Sequence, residues 1–198
     1  RAIGLIGEDA IAEIPVLINL LGDEDPVVAA QAASAIGMIR EDDGRSSDAL
    51  DDAARGHYDN ATKALVERIV HPDARVRRVS IRALSKLSPP SDMIVPLVAK
   101  QLADEDPSVV MPALHTMADA GPAAVPFLIE SLAEPKSRYW ASVVLAEIGP
   151  EAGDAVPALV QIAEAADGEP EERMQAILAL ASIGDAASTA GGSLAALA

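Results

Sequence analysis

Histidines and paired carboxylates are the side chains of this sequence that could carry acid–base or metal chemistry. The three histidines, His57, His71 and His115, stand in different local contexts, and Glu171 and Glu172 form one of several carboxylate pairs. In a chain with 31 acidic residues, such pairs mark a solvated surface far more often than an acid–base site. The sequence has no cysteine, no phosphate-binding glycine loop and no nucleophile elbow. We therefore predict no catalytic residues, no metal site and no cofactor.

A positively charged stretch interrupts the otherwise acidic chain. Residues 63–86 contain seven of the 15 basic residues and two acidic ones, which gives a local charge of +5. Four of these cations, three or four residues apart, would share one face of a helix, with aliphatic residues opposite: Arg75, Arg78, Arg82 and Lys86. We call these four residues the basic stripe. Such a surface could dock an acidic peptide or domain, so its members are candidate partner-binding residues.

Tyr139 and Trp140 are the only adjacent aromatic residues in the chain. Neighbouring residues of a helix point to different sides, so we expect one ring to pack in the core and the other to reach the surface. An exposed aromatic ring is a plausible binding anchor. Tyr139 and Trp140 are therefore also candidate partner-binding residues, with core packing as the alternative role.

A short sequence phrase recurs along the chain and predicts the helices that carry these residues. The phrase has a small residue, an aliphatic residue, two variable positions, a further aliphatic residue and often glycine. Its starts are 33, 48, 33, 28 and 35 residues apart. A final glycine predicts the end of a helix, because glycine readily takes the left-handed conformation there. The copies are AIGLIG at 2–7, AIGMIR at 35–40, ALSKLS at 83–88, TMADAG at 116–121, VLAEIG at 144–149 and ALASIG at 179–184.

A second phrase alternates with the first and predicts the start of another helix. It places proline, which the first turn of a helix tolerates, before aliphatic residues at helical spacing. The copies are IPVLINLL at 14–21, VPLVAKQL at 95–102, VPFLIESL at 125–132, VPALVQIA at 156–163 and KALVERIV at 63–70, the last with Ala64 in place of proline. The aspartates before Pro26 and Pro107 are predicted to cap the following helices.

Each repeat is therefore predicted to be a helix, a capped turn, a second helix and a turn that contains glycine. A single array spans 1–198, with repeats at about 10–40, 61–88, 92–121, 122–149 and 153–184, half repeats at 1–9 and 185–198, and an acidic insertion at 41–60. Seven acidic and two basic residues in the insertion favour a mobile loop, or a short helix over 48–55 capped by Ser47 or Asp48. The insertion could be a solvated spacer or a binding segment.

This pattern resembles HEAT repeats, specifically the short kind of phycobilisome-lyase-like proteins. The resemblance rests on proline, spaced leucines, Asp-Pro, valine and the Ala-Leu-x-x-Ile-Gly phrase, and it covers nearly the whole chain. It implies an all-α fold, an α-α superhelix of antiparallel helix hairpins that forms a right-handed α-solenoid with a concave surface. The function it implies is a non-enzymatic scaffold that binds a protein or peptide partner. An ordinary alanine-rich helical bundle is the alternative fold.

The resemblance also implies a role for the basic stripe and an alternative function for the chain. In the family an arginine after the valine usually pairs with the Asp-rich turn of a neighbouring unit, which would give the basic stripe a structural role. The stripe could instead be covered by the acidic insertion until a partner displaces it. An alternative function is a bilin lyase-like subunit or chaperone acting on a tetrapyrrole-bearing protein, and a spectral shift on mixing with bilin would reveal it.

Two kinds of enzyme with similar repeats do not fit the residues. Deoxyhypusine hydroxylase binds iron through His-Glu pairs, whereas Tyr58, Pro72 and Thr116 follow the histidines here. DNA glycosylases of this type need a basic groove with aromatic residues. A net charge of -16 should repel phosphate backbones and anionic lipid, so we expect neither nucleic acid nor a membrane as partner.

The sequence also suggests where the chain belongs. No apolar run approaches the ~20 residues needed to span a bilayer, so we expect a soluble protein, with the cytoplasm favoured. The chain begins at Arg1 without an initiator methionine, and residues 2–7 look like the end of a helix. We therefore expect it to be part of a longer protein.

Overall fold

The computed structural model describes residues 7–44, 46, 49–185 and 187. Every regular element in these ranges is a helix. Two compact units, Arg1–Pro90 and Ser91–Ala198, are each built from helix pairs joined by short turns. The predicted all-α solenoid fold is confirmed. The predicted half repeats at the two ends lie almost wholly outside the described residues.

The first unit holds two helix pairs. A 3-10 segment, Gly7–Glu13, leads into α1 (Ile14–Leu20), and a short turn joins α1 to α2 (Pro26–Asp43). The second pair consists of α3 (Asp52–Arg68) and α4 (Ala74–Leu87). Because α1 packs on α3 and α2 packs on α4, the first helices of the pairs form one layer and the second helices form another.

The second unit repeats this arrangement with three pairs. Its elements, in order, are α5 (Ser91–Ala99), a 3-10 segment (Lys100–Ala103), α6 (Pro107–Asp119), a 3-10 segment (Gly121–Ala124), α7 (Val125–Ala133), α8 (Pro135–Ile148), a 3-10 segment (Gly149–Ala155), α9 (Val156–Glu164) and α10 (Pro170–Ile183). Helix α7 contacts α5 and α9, while α8 contacts α6 and α10. Both layers are therefore continuous through this unit.

Aliphatic side chains fill most of the interior of both units. The largest fully buried side chains are Ile14, Leu21, Ile36, Ile39, Leu65, Ile69, Ile81, Leu84, Leu102, Met117, Leu128 and Leu145. Small residues let the second helices approach closely. A Cβ atom added at Gly37 of α2 would lie 3.2 Å from the Cα of Ala83 in α4. The close packing of α2 against α4 is what fixes the position of α4.

Aspartate side chains cap three of the five described second helices, α2, α4 and α6, and for α2 and α6 this is what the Asp-Pro turns predict. A carboxylate oxygen of Asp25 accepts a hydrogen bond from the backbone N–H of Val27 at 2.8 Å, and Asp106 accepts one from Ser108 at 2.9 Å. Asp73 caps α4 in the same way. Each carboxylate satisfies an amide that would otherwise have no partner inside the helix, which defines where the helix begins.

The glycine that closes the recurring phrase takes a positive φ at three of its copies. Gly121, Gly149 and Gly184 have φ values of 55°, 69° and 68°. Ser88 occupies the same place after α4 and has a φ of 50°, the only positive value for a non-glycine residue among those the structure describes. The predicted helix ends at these glycines are thus confirmed, but the ψ values of -134° and -126° place Gly149 and Gly184 outside the left-handed helical region. Ser88, with a ψ of 55°, lies in that region and so holds a backbone conformation that a Cβ atom disfavours.

Replacing Ser88 with glycine should therefore raise the free energy of unfolding by about 1 kcal/mol, because the left-handed conformation loses its steric penalty. Urea unfolding followed by circular dichroism measures the change. The matched control is Ser85→Gly, in the helical part of α4, which should lower stability by about 0.5 kcal/mol. Equal effects of the two substitutions would contradict the assignment of Ser88 to a left-handed helix end.

Two helices start earlier than the second phrase predicts. Helix α5 begins at Ser91, so Pro96 lies inside the helix and not in its first turn. Helix α3 begins at Asp52, well before the phrase that starts at Lys63. Ala64 stands where the other copies have proline, so no missing N–H or ring clash prevents α3 from extending toward the N-terminus.

The predicted loop at 41–60 is wrong for most of its described residues. Residues 41–43 complete α2, and residues 52–60 form the first half of α3. The cap of α3 is Asp51, whose carboxylate accepts a hydrogen bond from the backbone N–H of Ala54 at 2.8 Å. Ser47 and Asp48, the predicted caps, lie outside the described residues. The acidic segment therefore mainly lengthens two helices.

A buried polar cluster joins this part of α3 to the end of α2. Leu50, Ala54 and Tyr58 are buried at four-residue intervals, which gives the acidic segment a narrow apolar face. The Tyr58 hydroxyl donates a hydrogen bond to Oδ2 of Asp43 at 3.1 Å. The Arg40 guanidinium lies 3.6 Å from the same oxygen and 5.3 Å from the centre of the Tyr58 ring. Because the Asp43 side chain is fully buried, these contacts compensate a charge that has left water.

Candidate functional site

Helix α4 has a core face and a charged face, as predicted. The buried residues on its core face are Val76, Ile81, Ala83, Leu84 and Leu87. Val79 is half-buried and packs against the cluster of Ala29, Ala30 and Val76. On the charged face Arg75, Arg82 and Lys86 are exposed and Arg78 is half-buried. The helix therefore holds the basic stripe at the surface by burying its opposite side against α2 and α3.

Both ends of the basic stripe are engaged within the chain. The Arg75 guanidinium donates two hydrogen bonds to the Asp73 carboxylate, from Nη2 to Oδ2 at 2.8 Å and from Nε to Oδ1 at 3.1 Å. At the other end, Nζ of Lys86 lies 2.8 Å from Oε1 of Glu41 on α2. Glu41 belongs to the acidic segment 41–60, so that segment meets the stripe at Lys86.

The contact with Arg75 makes the carboxyl group of Asp73 more acidic. The hydrogen bond from the Arg75 side chain, together with the backbone N–H of the same residue, lowers the pKa of the Asp73 carboxyl from 3.8 to about 2. Reciprocally, the hydrogen bond and the charge of Asp73 raise the pKa of Arg75. Asp73 therefore serves two functions, as the cap of α4 and as the counter-charge of the first residue in the stripe.

This pair should make stability sensitive to acid in a defined window. Because the folded-state pKa of Asp73 is depressed, its contribution is present above pH 3.8 and is lost as the pH falls toward about 2. We expect Asp73→Asn, which keeps the cap, to lower the thermal midpoint at neutral pH, with the difference from the parent shrinking across that window. The control is Asp51→Asn at the cap of α3. A difference that stays constant down to about pH 2 would contradict the role of the Asp73 charge.

The two central cations of the basic stripe are not engaged in this way. Within the part of the chain that the structure describes, Arg78 and Arg82 take part in no ion pair or hydrogen bond. Arg78 is half-buried, and Arg82 is exposed. The stripe thus presents two guanidinium groups between two neutralised ends.

Arginines that bind backbone carbonyl groups of the fold lie outside the basic stripe, at the fourth residue of three second helices. Arg77, the fourth residue of α4, donates hydrogen bonds to the carbonyl oxygens of His71 at 2.8 Å and Pro72 at 2.9 Å. Arg138 and Arg173 are the fourth residues of α8 and α10, and their Nε atoms bind carbonyl oxygens near the end of the preceding helix at 2.9 and 3.1 Å. The bonds of Arg138 and Arg173 satisfy helix-end carbonyl groups that lack a partner within the helix, and those of Arg77 satisfy carbonyl groups of the turn before α4.

One of these arginines also links neighbouring repeats. Nη1 of Arg138 on α8 lies 3.0 Å from Oε2 of Glu172 on α10, and both side chains are largely buried. This is the kind of pairing between units that the family resemblance implies. The sequence pattern assigned it to the residues of the stripe, but in this unit it falls on the arginine of the fourth position.

The aromatic pair takes an arrangement different from the predicted one. Tyr139 and Trp140 are both half-buried, and neither is a core residue. Their ring centres are 4.9 Å apart and the ring planes meet at 85°, an edge-to-face contact. Ala141 and Val144 occupy the buried face of α8, so the two rings pack against each other beside that face. The prediction of one core ring and one surface ring is wrong.

The histidines have separate surroundings. Nδ1 of His71 accepts a hydrogen bond from the backbone N–H of Asp73 at 3.0 Å, which places His71 in the turn before α4. His57 is half-buried and His115 is exposed. In the described ranges, no three histidine, aspartate or glutamate residues come together as a metal site. None of the helices in those ranges has both the length and the apolar character needed to cross a bilayer.

Comparison with known proteins identifies the repeat. Residues 61–142 match the family model for HEAT repeats. An engineered protein of known crystal structure is 23% identical, with 91% of this chain and 85% of that chain covered and a TM-score of 0.56. A designed armadillo repeat protein, solved in complex with the peptide (KR)4, is 18% identical, with 92% and 89% covered and a TM-score of 0.50.

No curated protein sequence matches the chain. The two structural likenesses, at such low identity, bear on the fold alone. The family match covers α4 with its basic stripe and extends into α8. Residues 61–142 are therefore identified as HEAT repeats, within a chain of all-α solenoid fold.

Proposed function

We propose that this chain is a non-enzymatic scaffold whose basic stripe docks an acidic peptide or an acidic segment of a partner protein. The observation that supports this most is the pair Arg78 and Arg82, two cations without counter-ions among the described residues of a chain with net charge -16. In a protein of this charge, a surface that keeps guanidinium groups unpaired favours a partner with carboxylates.

The mechanism is preorganised contact. Helix α4 is fixed by its buried face and by the Asp73 cap, so the stems of Arg78 and Arg82 start from a rigid helix. Binding then orders only the outer parts of two side chains, which lowers the entropy that association loses. A guanidinium can bind a carboxylate through two parallel hydrogen bonds, as Arg75 already binds Asp73.

The four residues of the stripe divide the work in this proposal. Arg78 and Arg82 make the direct contacts. Arg75 and Lys86 remain paired with Asp73 and Glu41 and border the contact surface at its two ends. The repeats proposed at about 10–40, 61–88, 92–121, 122–149 and 153–184 supply the stacked helices that hold this surface in place.

A charge-reversal experiment tests the proposal. The probe is fluorescein-labelled octaglutamate, whose binding is followed by fluorescence anisotropy at low salt. We expect Arg78→Glu/Arg82→Glu to weaken binding by about tenfold or more, because two attractive contacts become repulsive. The far-ultraviolet circular dichroism spectrum of this double variant should match that of the parent chain, since both side chains lie outside the core.

The matched control changes the net charge of the chain by the same amount, but at residues outside the basic stripe. Lys63 on α3 and Lys100 after α5 are both exposed, so Lys63→Glu/Lys100→Glu alters the total charge equally but leaves the stripe intact. We expect this variant to bind nearly as well as the parent chain. Equal losses in the two double variants would mean that only overall charge matters. Unfolding of the Arg78/Arg82 variant would instead assign these residues a structural role.

A further inference from the structure

The charge of the chain is distributed unevenly between its two units. Residues 1–90 contain 11 basic and 15 acidic residues, a net charge of -4, whereas residues 91–198 contain 4 and 16, a net charge of -12. The second unit thus carries most of the negative charge. Cationic partners would be attracted to it over distances of about a Debye length, roughly 8 Å at physiological salt.

An apolar row crosses the second helices of this unit. Helix α8 contacts both α6 and α10, so equivalent positions of the three helices lie side by side. The fifth residues are Met111, Tyr139 and Met174, and Leu178 lies one turn further along α10. Met111, Met174 and Leu178 have exposed fractions of 47%, 55% and 49%, and Tyr139 is half-buried. Apolar side chains so placed form a surface that a partner could cover.

Two acidic residues lie further along the same helices. Asp119 and Glu147 are the thirteenth residues of α6 and α8, eight positions and about 12 Å of helix beyond Met111 and Tyr139, and they point toward the same broad side of each helix. Both are exposed, and neither takes part in an ion pair or hydrogen bond with another described residue. The surface therefore combines flexible methionines, an aromatic ring and free carboxylates.

We propose that this face of the second unit binds a cationic amphipathic helical segment of a partner protein. The apolar side chains of such a segment would cover Met111, Tyr139, Met174 and Leu178, and its lysines or arginines would reach Asp119 and Glu147. Methionine adapts its shape to varied apolar partners, and an amphipathic helix carries both kinds of contact on one surface. The edge-to-face contact with Trp140 holds the Tyr139 ring in place for this role.

This inference goes beyond the scaffold proposal, because it concerns other residues, the other unit and the opposite charge. The test uses a fluorescein-labelled peptide of leucines and lysines in the order of an amphipathic helix. A second peptide with the same composition, scrambled so that no apolar face forms, separates shape from charge. Anisotropy with the full chain measures both affinities.

Two pairs of variants locate the binding surface. Met111→Ser/Met174→Ser removes apolar contacts, and its control is Met93→Ser/Val70→Ser at exposed apolar residues elsewhere. Asp119→Asn/Glu147→Gln removes the carboxylates, and its control is Asp92→Asn/Glu130→Gln on the exposed surface of the first helices α5 and α7. The carboxylate control changes the net charge by the same amount as the variant it matches, and the apolar control likewise replaces two exposed apolar side chains with serine.

We expect the amphipathic peptide to bind about tenfold or more tightly than its scrambled isomer, and either surface variant to lose about that factor while the controls do not. Equal binding of the two peptides, or equal losses in variants and controls, would overturn the proposal in favour of diffuse charge attraction. Absence of binding would overturn it directly. A dimer in sedimentation that dissociates in Met111→Ser/Met174→Ser would assign the face to a second copy of the chain.

Discussion

We expect Asp43→Ala to lower the free energy of unfolding by about 3 kcal/mol, a large fraction of the stability of a domain this size. The substitution removes a fully buried carboxylate that accepts the hydrogen bond of Tyr58 and faces the guanidinium of Arg40, itself only 11% exposed. Deleting one charge of a buried pair leaves the other without compensation. Urea unfolding followed by circular dichroism measures the loss.

Two controls make this prediction specific. Asp52→Ala removes another aspartate of the acidic segment, but its pair with Arg55 lies at the surface, so the change should stay within about 0.5 kcal/mol. Tyr58→Phe removes only the hydroxyl and should lower stability by about 1.5 kcal/mol. If Asp43→Ala destabilised the chain no more than Asp52→Ala, the cluster would not be what ties α3 to α2.

Leu84→Ala should lower the free energy of unfolding by about 2 to 5 kcal/mol, because the fully buried leucine leaves a cavity between α4 and its neighbours. Arg82 lies two positions earlier on the exposed side of the same helix. Arg82→Ala should change stability by no more than about 0.5 kcal/mol. Thermal or urea unfolding of the two variants therefore tests whether α4 has separate structural and binding faces.

The order of the two effects should reverse when octaglutamate binding, and not stability, is measured on the folded Leu84→Ala and Arg82→Ala variants. Leu84→Ala leaves the charged face unchanged and should bind nearly as well as the parent at low temperature. Arg82→Ala should bind more weakly. A strong stability loss in Arg82→Ala would place the stripe in the structural framework of the repeat.

The predictable part of the fold depends on signals that act within a few residues. An aspartate before Pro26 or Pro107 caps a helix by a local hydrogen bond, and a glycine such as Gly149 ends one by its own backbone freedom. Such signals gave the helix pairs and the core face of α4. They failed at residues 41–60, where acidic composition suggested a loop.

The reason for that failure lies in contacts between distant residues. Tyr58 is buried where its hydroxyl reaches Asp43 of α2, and the charge of Asp43 is tolerated because Tyr58 and Arg40 contact it. Composition alone does not register such compensation. The four-residue spacing of those three apolar residues was the available signal, and Ala64 in place of proline was a second one.

The candidate site was predictable as a charged helix face but not in its division of roles. Helical spacing alone groups Arg75, Arg78, Arg82 and Lys86. Which of them are neutralised depends on Asp73 in the preceding turn and on Glu41 in another helix pair. The edge-to-face contact of Tyr139 with Trp140 likewise depends on how the rings rotate, which residue spacing does not determine.

Nuclear magnetic resonance of arginine side chains tests the central claim most directly. In a titration of the labelled chain with octaglutamate, the Nε–H signals of Arg78 and Arg82 should shift in a saturable manner. The signals of Arg138 and Arg173 should stay in place, because their Nε atoms already bind backbone carbonyl groups. Uniform small shifts of all four arginines, or no shift at Arg78 and Arg82, would contradict a preformed docking surface on α4.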